Sequence, residues 1–87
     1  MERILMDNMK QLDIIVMALE SLGGRASYAE IYSKIEELSH TTLTYGQKAG
    51  IRKNIETHSS DSQVYSGKED LFYSVCGIGN GVWGLRK

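Results

Sequence analysis

The sequence predicts an α+β domain of the winged-helix class, three helices followed by a C-terminal β-hairpin wing. Three observations lead to it. Apolar residues recur at helical spacing through the first twenty or so positions and again in two shorter segments. From Asp70 onward the period becomes two, with aromatic and β-branched residues alternating along Leu71–Cys76 and Val82–Arg86. Between those segments lies Gly77-Ile-Gly-Asn-Gly81, a run that turns a chain tightly.

Eighty-seven residues, 41% hydrophobic and 24% charged, supply one modest core. Residues 1–87 are therefore expected to form a single domain, with 1–10 extending the first helix. The longest apolar run, Ile14–Leu19, falls far short of a bilayer span, and Met1 leads into no basic-then-apolar leader pattern. A single cysteine excludes an internal disulfide framework and suits a reducing compartment, so a cytoplasmic location is expected and a membrane partner is not.

The first helix carries Leu5, Met9, Leu12, Val16, Leu19 and Leu22 in one stripe, widened by Ile4, Ile15 and Met17. It should stop at Gly23-Gly24, where glycine takes the left-handed cap conformation. The surplus apolar residues near the start either cover the back of the core or form a dimer seam. Arg25-Ala26 has room only for a token strand that pairs with the hairpin. Ser27-Tyr-Ala-Glu30 has the capping-box spacing and opens a second helix with Ile31, Ile35 and Leu38 inward, and with Lys34, Glu36 and Glu37 on the solvated side. Ser39–Thr44 is a hydroxyl-rich turn ending in an N-cap at Thr44.

The third helix spans Tyr45–His58. With Ile51 and Ile55 inward, Lys48 falls near the inner edge, and Gly46, Ala49, Gly50, Lys53, Glu56 and Thr57 point outward. Two glycines and an alanine on an outer face are unfavourable for a merely solvated helix, since glycine costs about 1 kcal/mol there. Such a face either approaches a groove wall closely or belongs to a looser first turn. Ser59–Gly67 is turn chemistry throughout, and Asp61, Glu69 and Asp70 suit turns and the start of a strand. Trp83 is expected to plug the core rather than to stack on a base.

Charge is polarised along the chain. The net value is −1, but residues 1–40 carry four basic and seven acidic side chains, whereas 41–87 carry six and four. The third helix holds Lys48, Arg52 and Lys53 against Glu56 alone. A basic third helix beside a hairpin tip is the layout of a double-stranded DNA-binding module. Lys48, Arg52, Lys53 and Lys68 are the expected phosphate contacts, and Gln47, Lys53, Asn54 and Thr57 the expected readers of base edges. On the wing, Ile78 and Asn80 are the side chains that would reach DNA.

Catalytic chemistry finds no matching pattern. His40 and His58 have no metal-ligand spacing, Cys76 sits in a strand as a small apolar side chain, and the glycine run leads into a strand rather than a phosphate-binding helix. No enzyme activity, metal or cofactor is expected.

Leu22–Ala26, His58–Ser62, Gly67–Val75 and above all Gly81-Val-Trp-Gly-Leu-Arg86 resemble the winged-helix domains attached to restriction endonucleases, including HNH-type and modification-dependent nucleases, akin to the HARE-type helix-turn-helix. The likeness covers roughly Gln11 to Arg86. It implies recognition of duplex DNA in a restriction or mobile-element system, either by sequence or by a modified base, with cutting left to a separate nuclease domain. No nuclease segment accompanies the motif here, so the chain is expected to be either an excised recognition domain or a free-standing protein of a phage or mobile element. The alternative function is a protein-interaction or dimerisation winged helix, a small regulator whose partner is a second copy or a nuclease subunit.

Overall fold

Each helix begins and ends where local groups satisfy its backbone. The structure, a computed structural model, describes residues 11–67, 69–75 and 81–86. Helix α1 (Gln11–Ser21) stops at Gly23 and Gly24, with φ of 89° and 95°, and the Gly24 amide donates to the Leu19 carbonyl at 2.8 Å. Strand β1 (Arg25–Ser27) leads directly into α2 (Tyr28–Ser39) through the expected capping box. The Glu30 amide donates to Ser27 Oγ at 3.2 Å, and the Ser27 amide donates to Glu30 Oε1 at 2.9 Å. Helix α2 ends at His40, a non-glycine residue in the left-handed region with φ of 56°. Helix α3 (Tyr45–Thr57) starts at Thr44, also in a capping box, here with Gln47.

Strands β2 (Phe72–Ser74) and β3 (Val82–Leu85) pair antiparallel, and β1 pairs with the other side of β3, giving a sheet of order β1-β3-β2. The architecture is thus α+β, three helices and a small three-stranded antiparallel sheet among the described residues. The token strand at Arg25-Ala26 pairs as expected, opposite Gly84 and Trp83. Both later strands are shorter than their sequence patterns, because pairing reaches only from Phe72 to Ser74 on one and from Val82 to Leu85 on the other. Period-two alternation sends Ala26, Phe72 and Trp83 into the core, while Arg25, Tyr73 and Gly84 form a row on the opposite face. Trp83, 3% exposed, plugs the core.

The core consists of Ile14, Ile15, Ala18 and Leu19 from α1, Ile31 and Ile35 from α2, Ile51 and Ile55 from α3, with Leu43, Ala26, Phe72 and Trp83. The inward face of α1 is therefore shifted from the leucine stripe, sharing Leu19 with it and keeping Leu22 against the core. It centres on Ile14, Ile15, Ala18 and Leu19, and Leu12 and Val16 lie half-buried at its margin. The physical reason is that α1 packs against α2, α3, β1 and β3 together. A helix surrounded on so many sides buries the face whose small residue, Ala18, lets neighbouring backbones come close. The apolar residues before Gln11 lie outside the described residues.

A second correction concerns α2. Glu36 was expected on the solvated side, yet its Oε2 accepts from the Leu43 amide at 2.8 Å and so fastens the turn that carries the chain into α3. Lys34 and Glu37 do lie at the surface, as an i,i+3 ion pair of 3.0 Å. Asp61 and Asp70 take up the turn roles expected of them: Asp61 accepts from the Ser74 amide, and Asp70 accepts from the amide and hydroxyl of Ser60. Among the described residues no helix is long and apolar enough to cross a membrane, and no cluster of His, Cys, Asp and Glu could hold a metal ion.

Candidate nucleic-acid interface

The basic helix α3 has four different sides, three set by what packs against them and one left outward. Its inner side is Ile51 and Ile55, both fully buried. At its N-terminus the Gln47 amide donates to Thr44 Oγ1 at 3.1 Å while Gln47 Oε1 accepts from the Thr44 amide at 2.8 Å. Gln47 thus commits its side-chain oxygen to the cap, and its side-chain NH2 bonds to no other described residue.

The side toward α1 carries Gly50 and Asn54. Asn54 Nδ2 donates to Gln11 Oε1, and a Cβ at Gly50 would lie 3.6 Å from that same oxygen. Gly50 was expected to point outward; it instead faces α1, in ordinary contact with Gln11. Asn54, expected to read base edges, is turned to the same neighbour. Both follow from helix geometry, since residues four apart share a side and Asn54 is bonded across to α1. Asn54 also accepts, through its carbonyl, the contact from His58 Nδ1 at 2.8 Å that finishes the helix.

The side toward α2 is built around two tyrosines. Tyr28 and Tyr32, one turn apart on α2, stack with ring centroids 6.0 Å apart and an interplanar angle of 12°, and Tyr28 also touches Trp83. Arg52 Nη1 donates to the Tyr32 hydroxyl at 3.1 Å, and Lys48 Nζ sits 5.5 Å from the centroid of the same ring, in cation–π range. The Tyr32 hydroxyl in turn points its proton to the Lys48 carbonyl, at 3.5 Å. Donating to the Tyr32 hydroxyl raises the Arg52 guanidinium even above its high ordinary pKa. Glu56, expected outward, accepts from the Tyr28 hydroxyl at 2.9 Å. Burial first, and then the nearby Glu56 carboxylate, push the Tyr28 phenol well above the ordinary tyrosine range.

The remaining, outer side carries Gly46, Lys53 and Thr57. Lys53 is exposed, and the Thr57 hydroxyl bonds back to the Lys53 carbonyl at 2.8 Å. Among the described residues, carboxylates pair with Lys34 and Arg86, whereas none lies within ion-pair distance of Lys48, Arg52 or Lys53. The structure therefore brings Lys48 and Arg52 together on Tyr32, leaves Lys53 open on the outer side, and separates Asn54 from all three. Lys68, Ile78 and Asn80, as well as Cys76, lie outside the described residues.

Two residues of this surface carry no signal in a charge count. Tyr32, uncharged and on α2, meets α3 only through packing. Tyr45, the first residue of α3, is 82% exposed, more than any other large hydrophobic residue described. The spacing Tyr45, Lys48, Arg52 at i, i+3 and i+7 was the available signal for it. Comparison with family models, curated proteins and solved structures gave no match.

Proposed function

We propose that this α+β unit is a winged helix that binds double-stranded DNA, with α3 in the major groove and the β2–β3 hairpin against the flanking backbone. One observation carries the proposal. Helix α3 holds three cations with no carboxylate in ion-pair range among the described residues, whereas the one cation of α2, Lys34, is paired with Glu37 and α1 carries only Asp13 and Glu20. Unpaired cations on a solvent-facing helix keep their full field for phosphates, and releasing condensed counterions from DNA supplies the binding free energy. The small residues Gly46 and Ala49 near the start of α3 lower the profile of that end of the helix, which favours a close approach to a groove. The likeness of the Gly81–Arg86 segment to nuclease-associated winged helices supports the same function and makes base modification a variable to test.

The test is a fluorescence-anisotropy titration of duplexes with and without methylated bases, repeated over a salt series. Affinity is expected to fall steeply with ionic strength, with Arg52→Ala reducing the slope of log K against log salt by about one. A chain that binds no duplex at low salt, or binds with no salt dependence, refutes the proposal. A difference between modified and plain duplexes assigns the modified base as the target.

A further inference from the structure

We infer that Tyr45 is a nucleic-acid contact residue, sharing one ridge with Lys48 and Arg52, and that Tyr32 is the positioning residue that fixes both cations on that ridge. The inference rests on the DNA-binding function proposed above and specifies which edge of α3 makes the contact. Residues at i, i+3 and i+7 of a helix line one side, so Tyr45, Lys48 and Arg52 share one edge of α3, along which Lys48 and Arg52 meet Tyr32 of α2.

An exposed tyrosine alone means little, because single apolar side chains are common on protein surfaces. Tyr45 differs in its company. It is 82% exposed, it begins a row whose two cations have no carboxylate in ion-pair range among the described residues, and it is not among the described residues that form or pack against the core. A flat ring next to cations is the combination that packs on deoxyribose or an exposed base while phosphates are neutralised alongside.

The cations of that row are not free to sweep. Tyr32 accepts from Arg52, lies under Lys48, and anchors its own hydroxyl toward the Lys48 backbone carbonyl. Stacking on Tyr28 holds the Tyr32 ring, and the bond from Tyr28 to Glu56 ties that stack to α3. Long side chains lose rotamer freedom when they bind, so fixing them beforehand lowers the entropic cost of phosphate contact. This bracing predicts coupling: the value of Arg52 to binding depends on the Tyr32 hydroxyl.

The experiment titrates one labelled mixed-sequence duplex at low salt with the intact chain and with Tyr45→Ala, Tyr32→Phe, Arg52→Ala and the Tyr32→Phe, Arg52→Ala pair, each checked for its thermal midpoint. Tyr45→Ala is expected to weaken binding about tenfold, the effect of burying part of an aromatic ring, with the midpoint unchanged. Tyr32→Phe keeps the ring under Lys48 and removes only the hydroxyl. It is expected to weaken binding several-fold, and the further loss from Arg52→Ala in that background is expected to be much smaller than in the intact chain. If Arg52→Ala weakens binding and Tyr45→Ala leaves it within about twofold, the ridge is wrong while DNA binding stands. If the Tyr32 and Arg52 effects simply add, Tyr32 is not a positioning residue. If the intact chain binds no duplex, the proposed function fails and the ridge with it.

Discussion

Gly84 has no room for a side chain. It is buried on β3, and a Cβ there would lie 2.5 Å from Cε1 of Tyr73 and 2.8 Å from its Cζ. The Tyr73 ring, from the paired position on β2, lies over the glycine and takes the place of its missing side chain. Its φ is ordinary, so the constraint is purely one of volume. Gly84→Ala should therefore destabilise the fold by about 1–3 kcal/mol through overpacking, read as a lower denaturation midpoint at unchanged slope. Adding Tyr73→Ser should restore part of the loss, because the atoms in the way are those of the ring. A Gly84→Ala protein as stable as the parent would mean that the ring swings aside freely.

The ends of α2 and α3 are not equally well made. Thr44 and Gln47 close the start of α3 with two reciprocal bonds, and the ring of His58 meets the Asn54 carbonyl at its close. Helix α2 instead turns off at His40 with φ of 56°, where the Thr41 amide reaches back to the Glu36 carbonyl at 3.3 Å. A side chain in the left-handed region crowds its own carbonyl by roughly 1–2 kcal/mol, while glycine there brings an unfolded-state entropy penalty of somewhat less. His40→Gly should thus stabilise the protein by about 0.5–1 kcal/mol, a rise in thermal midpoint of several degrees for a domain of this size. His40 is exposed, so a lower midpoint would show that its ring makes a contact of its own. At the same scale, α3 divides its surface among three neighbours. Helix spacing puts Lys48 and Arg52 on one side, and that division sets what the side meets, the ring and hydroxyl of Tyr32.

One arginine ties the end of the C-terminal strand to the loop after α3. Arg86 Nε donates to Asp70 Oδ1 and to the Phe72 carbonyl, each at 2.9 Å, and its Nη2 reaches Ser60 Oγ at 3.2 Å and Asp61 Oδ1 at 3.2 Å. The loop after α3 is drawn in as well, since the amides of Leu71 and Phe72 both donate to the His58 carbonyl. The bonds from Ser60, reinforced by Arg86, hold the Asp70 carboxyl below its ordinary range. A carboxyl whose folded pKa is depressed adds stability that is present above its unfolded value of about 4 and is lost as pH falls through the folded one. Stability should accordingly decline below about pH 4, and Asp70→Asn should flatten that decline while lowering the midpoint at neutral pH. Arg86→Ala should lower the neutral-pH thermal midpoint by roughly 5 °C, since it frees the sheet from the loop. If acid unfolding is identical in the parent and in Asp70→Asn, the carboxylate has no part in this tie.

What the sequence determined by itself is everything set by groups within a few residues of one another. Gly23-Gly24 stops α1, Ser27 with Glu30 starts α2, Thr44 starts α3, and alternation along β2 and β3 sends Phe72 and Trp83 inward, because caps and pleats are local hydrogen-bond and steric facts. Tertiary structure alone decided the face of α1. Leu12 and Val16 are as apolar as Ile14 and Ile15, and only simultaneous packing against two helices and a sheet chooses between them. It also decided the candidate site. Asn54 meets Gln11 across 43 positions and Arg52 meets Tyr32 across 20, so no periodicity within α3 could show that one polar residue turns inward to α1 while two cations gather on an α2 tyrosine. Charge density along a chain is a local property. Which charges share a surface depends on the neighbours that three-dimensional packing supplies.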